Sequence, residues 1–373
     1  MGLKVLHLID SGGLYGAERM LISLVRAQIK QSLSPMILSV GETNCAEKAI
    51  EVEAREQSLP IRAWRMEPGL NLPGAWKILK WAKKEGFQLI HTHGYKFNIL
   101  LGLMPRLLRN IPVVCTLHGY VGTSGFNKLY LYNLVDRVLL RRLDQIVLVS
   151  EQMKALEGIR SLPLGKVRVV PNGISPEVSS MGTIDADIQE FISDASFNIL
   201  LVGRLSEEKN INSAIKAISH PSIASMNIKL CIVGEGALQG KLLDIAKEQG
   251  VLDRVFFAGY RKNVEELMRS FDILVMPSIS EGLPITILEA MKVGLPVIAS
   301  AVGGIPSALD QGKAGVVIEK PDDEALKEAI IGVIQNDVDV KEVVKHAQYI
   351  FKERYTDIAM AKKYFDIYMA FVK

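Results

Sequence analysis

The chain reads Pro277-Ser278-Ile279-Ser280-Glu281-Gly282-Leu283-Pro284-Ile285-Thr286-Ile287-Leu288-Glu289-Ala290-Met291 after four apolar residues, Ile273 to Met276. An unbroken apolar run of that length is what a strand buried on both faces of a parallel sheet requires. Gly282 and Pro284 then turn the chain, and apolar residues recur at helical spacing from Ile285 onward; proline suits a helix entry, where the missing N–H has no partner to lose. A strand that turns directly into a helix is half of a βαβ unit. The amides around Gly282 and Leu283 face the N-terminus of that helix, a place that favours an anion. Glu281 precedes the helix and Glu289 lies in its second turn, so the two carboxylates stand at different depths and can each hold a pair of sugar hydroxyls. Carboxylates beside an anion repel it, so cations are required close by.

The same alternation runs outward in both directions. In the second half, apolar runs at 198–202, 229–233, 255–257, 297–299 and 315–318 join 273–276 as expected strands, with helices at 212–219 and 285–293. In the first half, strands are expected at 4–9, 36–40, 89–91, 113–117, 145–149 and 167–170, with helices at 17–31 and 129–142. Between the halves, residues 171–196 hold Pro, Gly, Ser and acids and no long apolar run, which reads as a hinge region. The expected fold class is therefore α/β, with two Rossmann-like, doubly wound domains facing a central cleft at the carboxyl ends of their sheets. The expected division is 1–178 and 179–355, with the amphipathic stretch 356–373 crossing back to the first domain.

Cations of the required kind follow the first strand of the second half, in Gly203-Arg204-Leu205-Ser206-Glu207-Glu208-Lys209. Arg204 offers a bidentate fork to phosphate and Lys209 a point charge; together they suit the charge that grows on a leaving diphosphate. Val233-Gly234-Glu235-Gly236 and Gly259-Tyr260 end further strands and make walls for a nucleotide, with Tyr260 toward the base. In the first half, Gly12-Gly13 and Gly16-Ala17-Glu18 follow the first strand, where glycine lets backbone approach a ligand. His91-Thr92-His93-Gly94 and His118-Gly119 end two more strands. His118 is a candidate for contact with a transferred sugar, and His91 and His93 for substrate contact or loop packing. Metal ligation by these histidines is not expected, since no further ligands are evident.

Composition closes off other classes. Lys and Arg number 44 against 41 Asp and Glu, too even to imply nucleic acid. The three cysteines, Cys45, Cys115 and Cys231, lack metal or redox spacing and fit a reducing compartment. No apolar run approaches the length of a membrane span, and the first residues lack the pattern of a signal peptide, so a cytoplasmic location is expected. No Asp-x-Asp pair is present, so no metal-dependent diphosphate clamp is expected, and no cofactor.

Taken together, Gly12-Gly13 with Gly16-Ala17-Glu18, His91-Thr92-His93-Gly94, His118-Gly119, Val149-Ser150-Glu151, Val170-Pro171-Asn172-Gly173-Ile174, Gly203-Arg204-Leu205 with Lys209, and Glu281 through Glu289 resemble the family 4 glycosyltransferases of the GT-B fold. The resemblance covers nearly the whole chain, and the Glu-x7-Glu spacing is that family's signature. It implies that Arg204 and Lys209 bind the donor diphosphate, with Gly203 beside them. Glu289 would hold ribose hydroxyls, and Glu281 the transferred sugar's hydroxyls. Gly282, Leu283 and Pro284 would close on the phosphate, and Gly13 and His118 would approach from the first domain. It further implies retention of anomeric configuration, no metal requirement, and same-face attack assisted by the leaving phosphate. The donor would be a nucleotide-diphosphate sugar, UDP-linked by preference, and the product a surface polysaccharide or glycoconjugate.

Three rival readings compete: a nucleotide-sugar epimerase of similar fold, a phosphorylase, and a nucleotide-sugar-binding module without turnover. An epimerase would release no acceptor product, and a phosphorylase needs a pyridoxal-binding lysine in a longer chain. For the acceptor, a glycan, a lipid-linked glycan or a small molecule all fit. Residues 95–109 and 126–142 mix apolar residues with Lys96, Arg106, Arg109, Lys128, Arg137, Arg141 and Arg142, a pattern compatible with peripheral membrane association at the inner face.

Overall fold

The computed structural model describes residues 2–10, 13–119, 128–156, 158–177, 184–224 and 226–372. The chain divides into two compact units: Met1–Ser175 with Arg354–Lys373, and Pro176–Glu353.

The first unit carries β1 (Lys4–Ile9), β2 (Ser34–Glu42), β3 (Ile61–Met66), β4 (Leu89–Thr92), β5 (Val113–Leu117), β6 (Gln145–Leu148) and β7 (Val167–Val169). All pair in parallel, in the order β3-β2-β1-β4-β5-β6-β7. β4, β5 and β6 are buried at every residue, which is why they read as unbroken apolar runs. β3, an edge strand, escaped the sequence reading because Arg62 and Arg65 interrupt its apolar run and only Met66 is buried. Helix Gly16–Lys30 buries Met20, Leu21, Leu24 and Val25 against this sheet, and the carboxylate of Glu18 in its first turn accepts from the Tyr15 amide at 2.8 Å.

The end of the chain completes this unit. Helix Asp357–Met369 starts where Thr356 pairs with Ile174, and Thr356 caps it by accepting from the Ala359 amide. Gly173 is required there: a Cβ would stand 2.3 Å from the Thr356 carbonyl oxygen. Tyr364 and Tyr368 of this helix are fully buried and reach the sheet.

The second unit carries β8 (Phe197–Val202), β9 (Ile228–Val233), β10 (Val255–Gly259), β11 (Ile273–Met276), β12 (Val297–Ser300) and β13 (Val316–Ile318), all parallel, in the order β10-β9-β8-β11-β12-β13. Its core is an aliphatic cluster that includes Ile199, Leu201, Ile215, Leu230, Ile232 and Ile273. Part of the stretch read as a hinge is structured: Ala186–Ile192 is a helix whose Ile188 and Ile192 are buried. Its apolar residues are too few to stand out along the sequence.

Both sheets therefore share one winding pattern, in which the strand order reverses between β1 and β4 and again between β8 and β11. In open parallel sheets, ligands bind outside the carboxyl ends of the strands at such a reversal, because the flanking loops run to opposite faces and leave a crevice.

Candidate active site

In the second unit the reversal brings together residues far apart in sequence. Lys209, in the loop after β8, places its Nζ 2.6 Å from Glu281 Oε1, in the loop after β11. Ser278, fully buried, donates to the same carboxylate oxygen at 2.8 Å. A part-buried carboxylate held by an ammonium and a hydroxyl is fixed in position, and its second oxygen is left to recognise a ligand. Arg204 lies in the same β8 loop and is half exposed, with Nη2 2.6 Å from Glu208 Oε1. An exposed pair of this kind contributes little to stability, so its exchange for a phosphate is inexpensive. An Arg–Glu pair of this kind is also what an ordinary solvated loop shows.

Glycines pack these loops tightly. Gly234, after β9, has φ +142°, and a Cβ there would stand 2.0 Å from the Gly203 carbonyl oxygen. Gly203 in turn lies under the Lys209 stem, with Cδ and Cε each 3.3 Å from where its Cβ would be. The Gly203 amide donates to Val233 and the Gly234 amide to Gly259, so the ends of β8, β9 and β10 are laced together. Tyr260, after β10, is substantially exposed, and its amide donates to Glu235 Oε1 at 3.4 Å.

Helix Ile285–Val293 begins after Pro284 with no side chain capping its first amides, and Glu289 is buried in its second turn. Leu283 and Pro284 are buried with it. Two residues of this corner were not singled out from sequence. Gly303 (φ +54°), after β12, allows no side chain, since a Cβ would stand 1.9 Å from the Glu281 carbonyl oxygen; the Gly304 amide donates to the Gly282 carbonyl. The Gly303-Gly304 pair at a strand end was the available signal. Ser278 carried none beyond its place in the motif.

In the first unit the loops after β1, β4 and β5 meet. Gly13 is covered by the Tyr15 ring, whose Cε2 lies 2.2 Å from where a Cβ would be; Gly12 lies outside the described residues. The Asp10 carboxylate approaches Gly94, and burial raises its pKa against the lowering effect of Lys96 and Lys48. Tyr95 stacks on Tyr132 with ring centroids 5.7 Å apart.

Below these loops the histidines form a connected cluster. His7, in the middle of β1, is fully buried and bonds His93 through Nδ1 (3.1 Å) and Gln28 through Nε2 (2.9 Å). His93 Nδ1 meets His118 Nε2 at 3.3 Å. His91 bonds Tyr368 (2.6 Å) and Thr116 (2.7 Å), and Thr116 bonds Tyr364 (2.7 Å). His91 is therefore a core residue, not a substrate contact, because both of its nitrogens are used inside the fold. Burial lowers the pKa of His7 and His118 to about 4 and takes His91 and His93 well below the usual histidine value, so all four are neutral at pH 7. The candidate ligand nitrogens of His7, His91 and His93 lie within 4.8 Å of one another, the spacing of a three-imidazole metal site. All six ring nitrogens of the three are already hydrogen-bonded, and an ion would have to replace those bonds.

The same winding and the same motifs occur in known proteins. Residues 185–353 match the family described as Glycosyl transferases group 1, and residues 15–178 match Glycosyltransferase Family 4. EpsF of Bacillus subtilis (strain 168), named as a glycosyltransferase, is 30% identical over 307 residues, 80% of this chain and 79% of EpsF. The chain is a family 4 glycosyltransferase. A second relative of this glycosyltransferase, 28% identical over 272 residues and 70% of each chain, is the UDP-Gal:alpha-D-GlcNAc-diphosphoundecaprenol alpha-1,3-galactosyltransferase of Escherichia coli. Among solved structures, Anabaena Alr3699/HepE in complex with UDP-glucose superposes with a TM-score of 0.82 at 21% identity, covering 99% of this chain and 100% of that one. The glycosyltransferase thus has the GT-B fold, with two Rossmann-like domains.

The surface predicted to be basic and apolar is divided by the structure. Arg109 is fully buried, 3.3 Å from Asp144 Oδ2, and donates to the Arg142 carbonyl, because Asp144 also accepts from the Val113 amide and must be neutralised. It therefore leaves the basic face, while Arg106 stays exposed beside Asp144. Leu107 is 95% exposed, and Leu131, Leu134 and Val138 of helix Lys128–Leu139 form an exposed stripe. Residues 126 and 127 and the Lys128 side chain lie outside the described residues. Among the described residues no helix is long and apolar enough to cross a membrane.

Proposed function

We propose that this glycosyltransferase is a retaining hexosyltransferase that moves a sugar from a UDP-sugar to a lipid-linked or glycan acceptor during surface polysaccharide or glycoconjugate synthesis, without a metal ion or cofactor. The carrying observation is the Lys209–Glu281 contact of 2.6 Å at the β8/β11 reversal, with Arg204 in the same loop. Arg204 leaves Glu208 to bind the diphosphate, and Lys209 shares its charge between Glu281 and the phosphate nearest the sugar. The bond from the anomeric carbon to the diphosphate oxygen breaks, and the charge on that oxygen is met by both cations. The acceptor hydroxyl bonds to the same face of the anomeric carbon and its proton passes to the departing diphosphate, so no protein base is needed. Glu281 and the amides near Gly282 and Leu283 hold the sugar and phosphate, Glu289 holds the ribose hydroxyls, and Gly203, Gly234 and Tyr260 frame the nucleotide.

The UDP preference draws on the UDP-glucose complex of HepE and on the UDP-galactose named for the Escherichia coli relative. The diphosphoundecaprenol in that relative's name supports a lipid-linked acceptor. Such an acceptor is held at a membrane surface, and the exposed Leu107, Leu131, Leu134 and Val138 beside Arg106 suit shallow insertion there.

The test is a thermal-shift panel of UDP, GDP, ADP and CMP, with EDTA present, on the wild type and Arg204→Ala. A ligand that binds only the folded state raises the apparent stability by mass action. A shift with UDP alone that is lost in Arg204→Ala is expected; a shift with GDP instead overturns the donor assignment, and a shift retained in Arg204→Ala overturns the phosphate site.

A further inference from the structure

We propose that Asp10 receives a pair of hydroxyls from an acceptor sugar whose apolar face lies on the ring of Tyr95. Asp10 follows β1, and Tyr95 and Lys96 open the helix Tyr95–Leu103 that follows β4. β1 and β4 are neighbours at the reversal of the first sheet, the counterpart of the place that Lys209 and Glu281 hold in the second. The Asp10 carboxylate is part-buried, and among the described residues no side chain hydrogen-bonds or ion-pairs with it. Lys48 is near, but its ammonium donates to the carbonyls of Asp10 and Val40. Lys96 is close enough for its charge to act on Asp10, yet it too makes no ion pair or hydrogen bond among the described residues. Two buried carboxylates of the same unit contrast with this. Glu51 takes Arg65 on both oxygens at 2.9 Å and Ser39 at 2.7 Å. Asp144 takes Arg106, Arg109 and the Val113 amide.

A carboxylate that has lost water and gained no side-chain donor carries an unmet desolvation cost, and this one stands at a ligand-side strand end. Gly94 keeps the approach open: its φ of −178° suits any residue, but a Cβ there would stand 3.0 Å from Asp10 Oδ1. The occupant must donate, since an ionised carboxylate only accepts, and the two oxygens take two donors at once. Adjacent hydroxyls of a sugar ring meet that need, whereas a phosphate or a second carboxylate is repelled. Lys96 donates to the oxygen of one of these hydroxyls, which then bridges the carboxylate and the ammonium. Tyr95 supplies the apolar part. Its ring stacks on Tyr132 with 23° between the planes, and the residue remains 39% exposed. Burial first, and then the charge of Asp10, raise the pKa of the Tyr95 phenol, so ring and carboxylate are neighbours. An aromatic face backed by a second ring, next to a group that takes hydroxyls, suits a carbohydrate. The acceptor class is thus a neutral terminal sugar and not an anionic small molecule. Naming that sugar the acceptor rests on the glycosyltransfer reading; its binding to Asp10 and Tyr95 does not.

The experiment is saturation-transfer NMR on the full chain with methyl glycosides of glucose, galactose and N-acetylglucosamine, at saturating UDP so that the donor site is filled. At least one glycoside is expected to bind the wild type, and to bind Asp10→Asn about tenfold more weakly. Tyr95→Ala, a change at a part-exposed residue that spares the core, is expected to weaken the same glycoside to a similar degree. Monodeoxy analogues separate contact from a merely structural role of Asp10. Removing a hydroxyl that Asp10 holds should weaken binding to the wild type and leave binding to Asp10→Asn unaltered. The proposal is overturned by a wild type that binds none of the glycosides, by Tyr95→Ala binding as well as the wild type, or by deoxy effects of equal size in both proteins. Binding of inorganic pyrophosphate to the UDP-loaded wild type that Lys96→Met abolishes would mark an anion site and overturn it as well. Melting curves with UDP run alongside. A UDP shift without glycoside binding removes the acceptor site and leaves the transferase reading intact. Glycoside binding without a UDP shift tells against the donor reading and leaves the sugar site standing.

Discussion

Acid should destabilise the first unit from about pH 6.5 downward, before most carboxylates titrate, because four neutral imidazoles are packed together there. The folded pKa of His7 is about 4, against 6.5 for a free imidazole. The unfolded chain therefore binds more protons between those values, and stability falls as pH drops through that window. Between pH 7 and pH 5 a group with this shift removes roughly 2 kcal/mol. His118 has the same shift, and His91 and His93 move in the same direction, so His7 alone sets a lower limit for the cluster. Asp10 opposes it, since its raised pKa makes the folded state gain protons, and Glu51, with its lowered pKa, adds to the loss only at more acidic pH. A loss of this size is large against the roughly 5–15 kcal/mol of a typical domain. The assay is unusually local: the chain's three tryptophans, Trp64, Trp76 and Trp81, all lie in the first unit. Urea unfolding followed by tryptophan fluorescence should lose on the order of 1 M in midpoint between pH 7 and pH 5. His7→Gln should lose less over the same interval. A fluorescence midpoint that is flat across this range would refute the buried, neutral cluster.

Other substitutions test the second unit and the surface. Lys209→Ala and Glu281→Ala should each abolish transfer while leaving the far-ultraviolet circular dichroism spectrum unchanged, because both side chains extend from loops; turnover retained by either would remove the site assignment. Gly234→Ala should lower stability by about 2 kcal/mol or more, since a Cβ would collide with the Gly203 carbonyl at a φ that disfavours side chains, and nucleotide binding should weaken with it. Ser278→Ala should reduce kcat/KM about tenfold with little change in melting temperature, as Glu281 keeps Lys209 but loses its second restraint. Leu107→Glu with Leu131→Glu should release the protein from vesicles containing anionic lipid while leaving UDP binding intact; co-sedimentation that is unchanged would discard the membrane face.

The sequence by itself determined the class of fold and most of the candidate site residues of the second unit. Strands buried on both faces must be unbroken apolar runs, and ligand-side loops follow them, so β4, β5, β11 and the segment from Glu281 to Glu289 were readable from local pattern alone. Edge strand β3 was not, because Arg62 and Arg65 interrupt the apolar run that marks its neighbours. Nor was the burial of Arg109, which depends on Asp144, a residue 35 positions away on the neighbouring strand's approach. Only the tertiary structure could join Lys209 to Glu281 across 72 residues, or draw Gln28, Tyr364 and Tyr368 into one network with histidines of three strands. Parallel strands are paired through long crossovers, so which strand ends become neighbours is set by the order of the sheet. Sequence spacing carries the period of each element, but it does not carry that order.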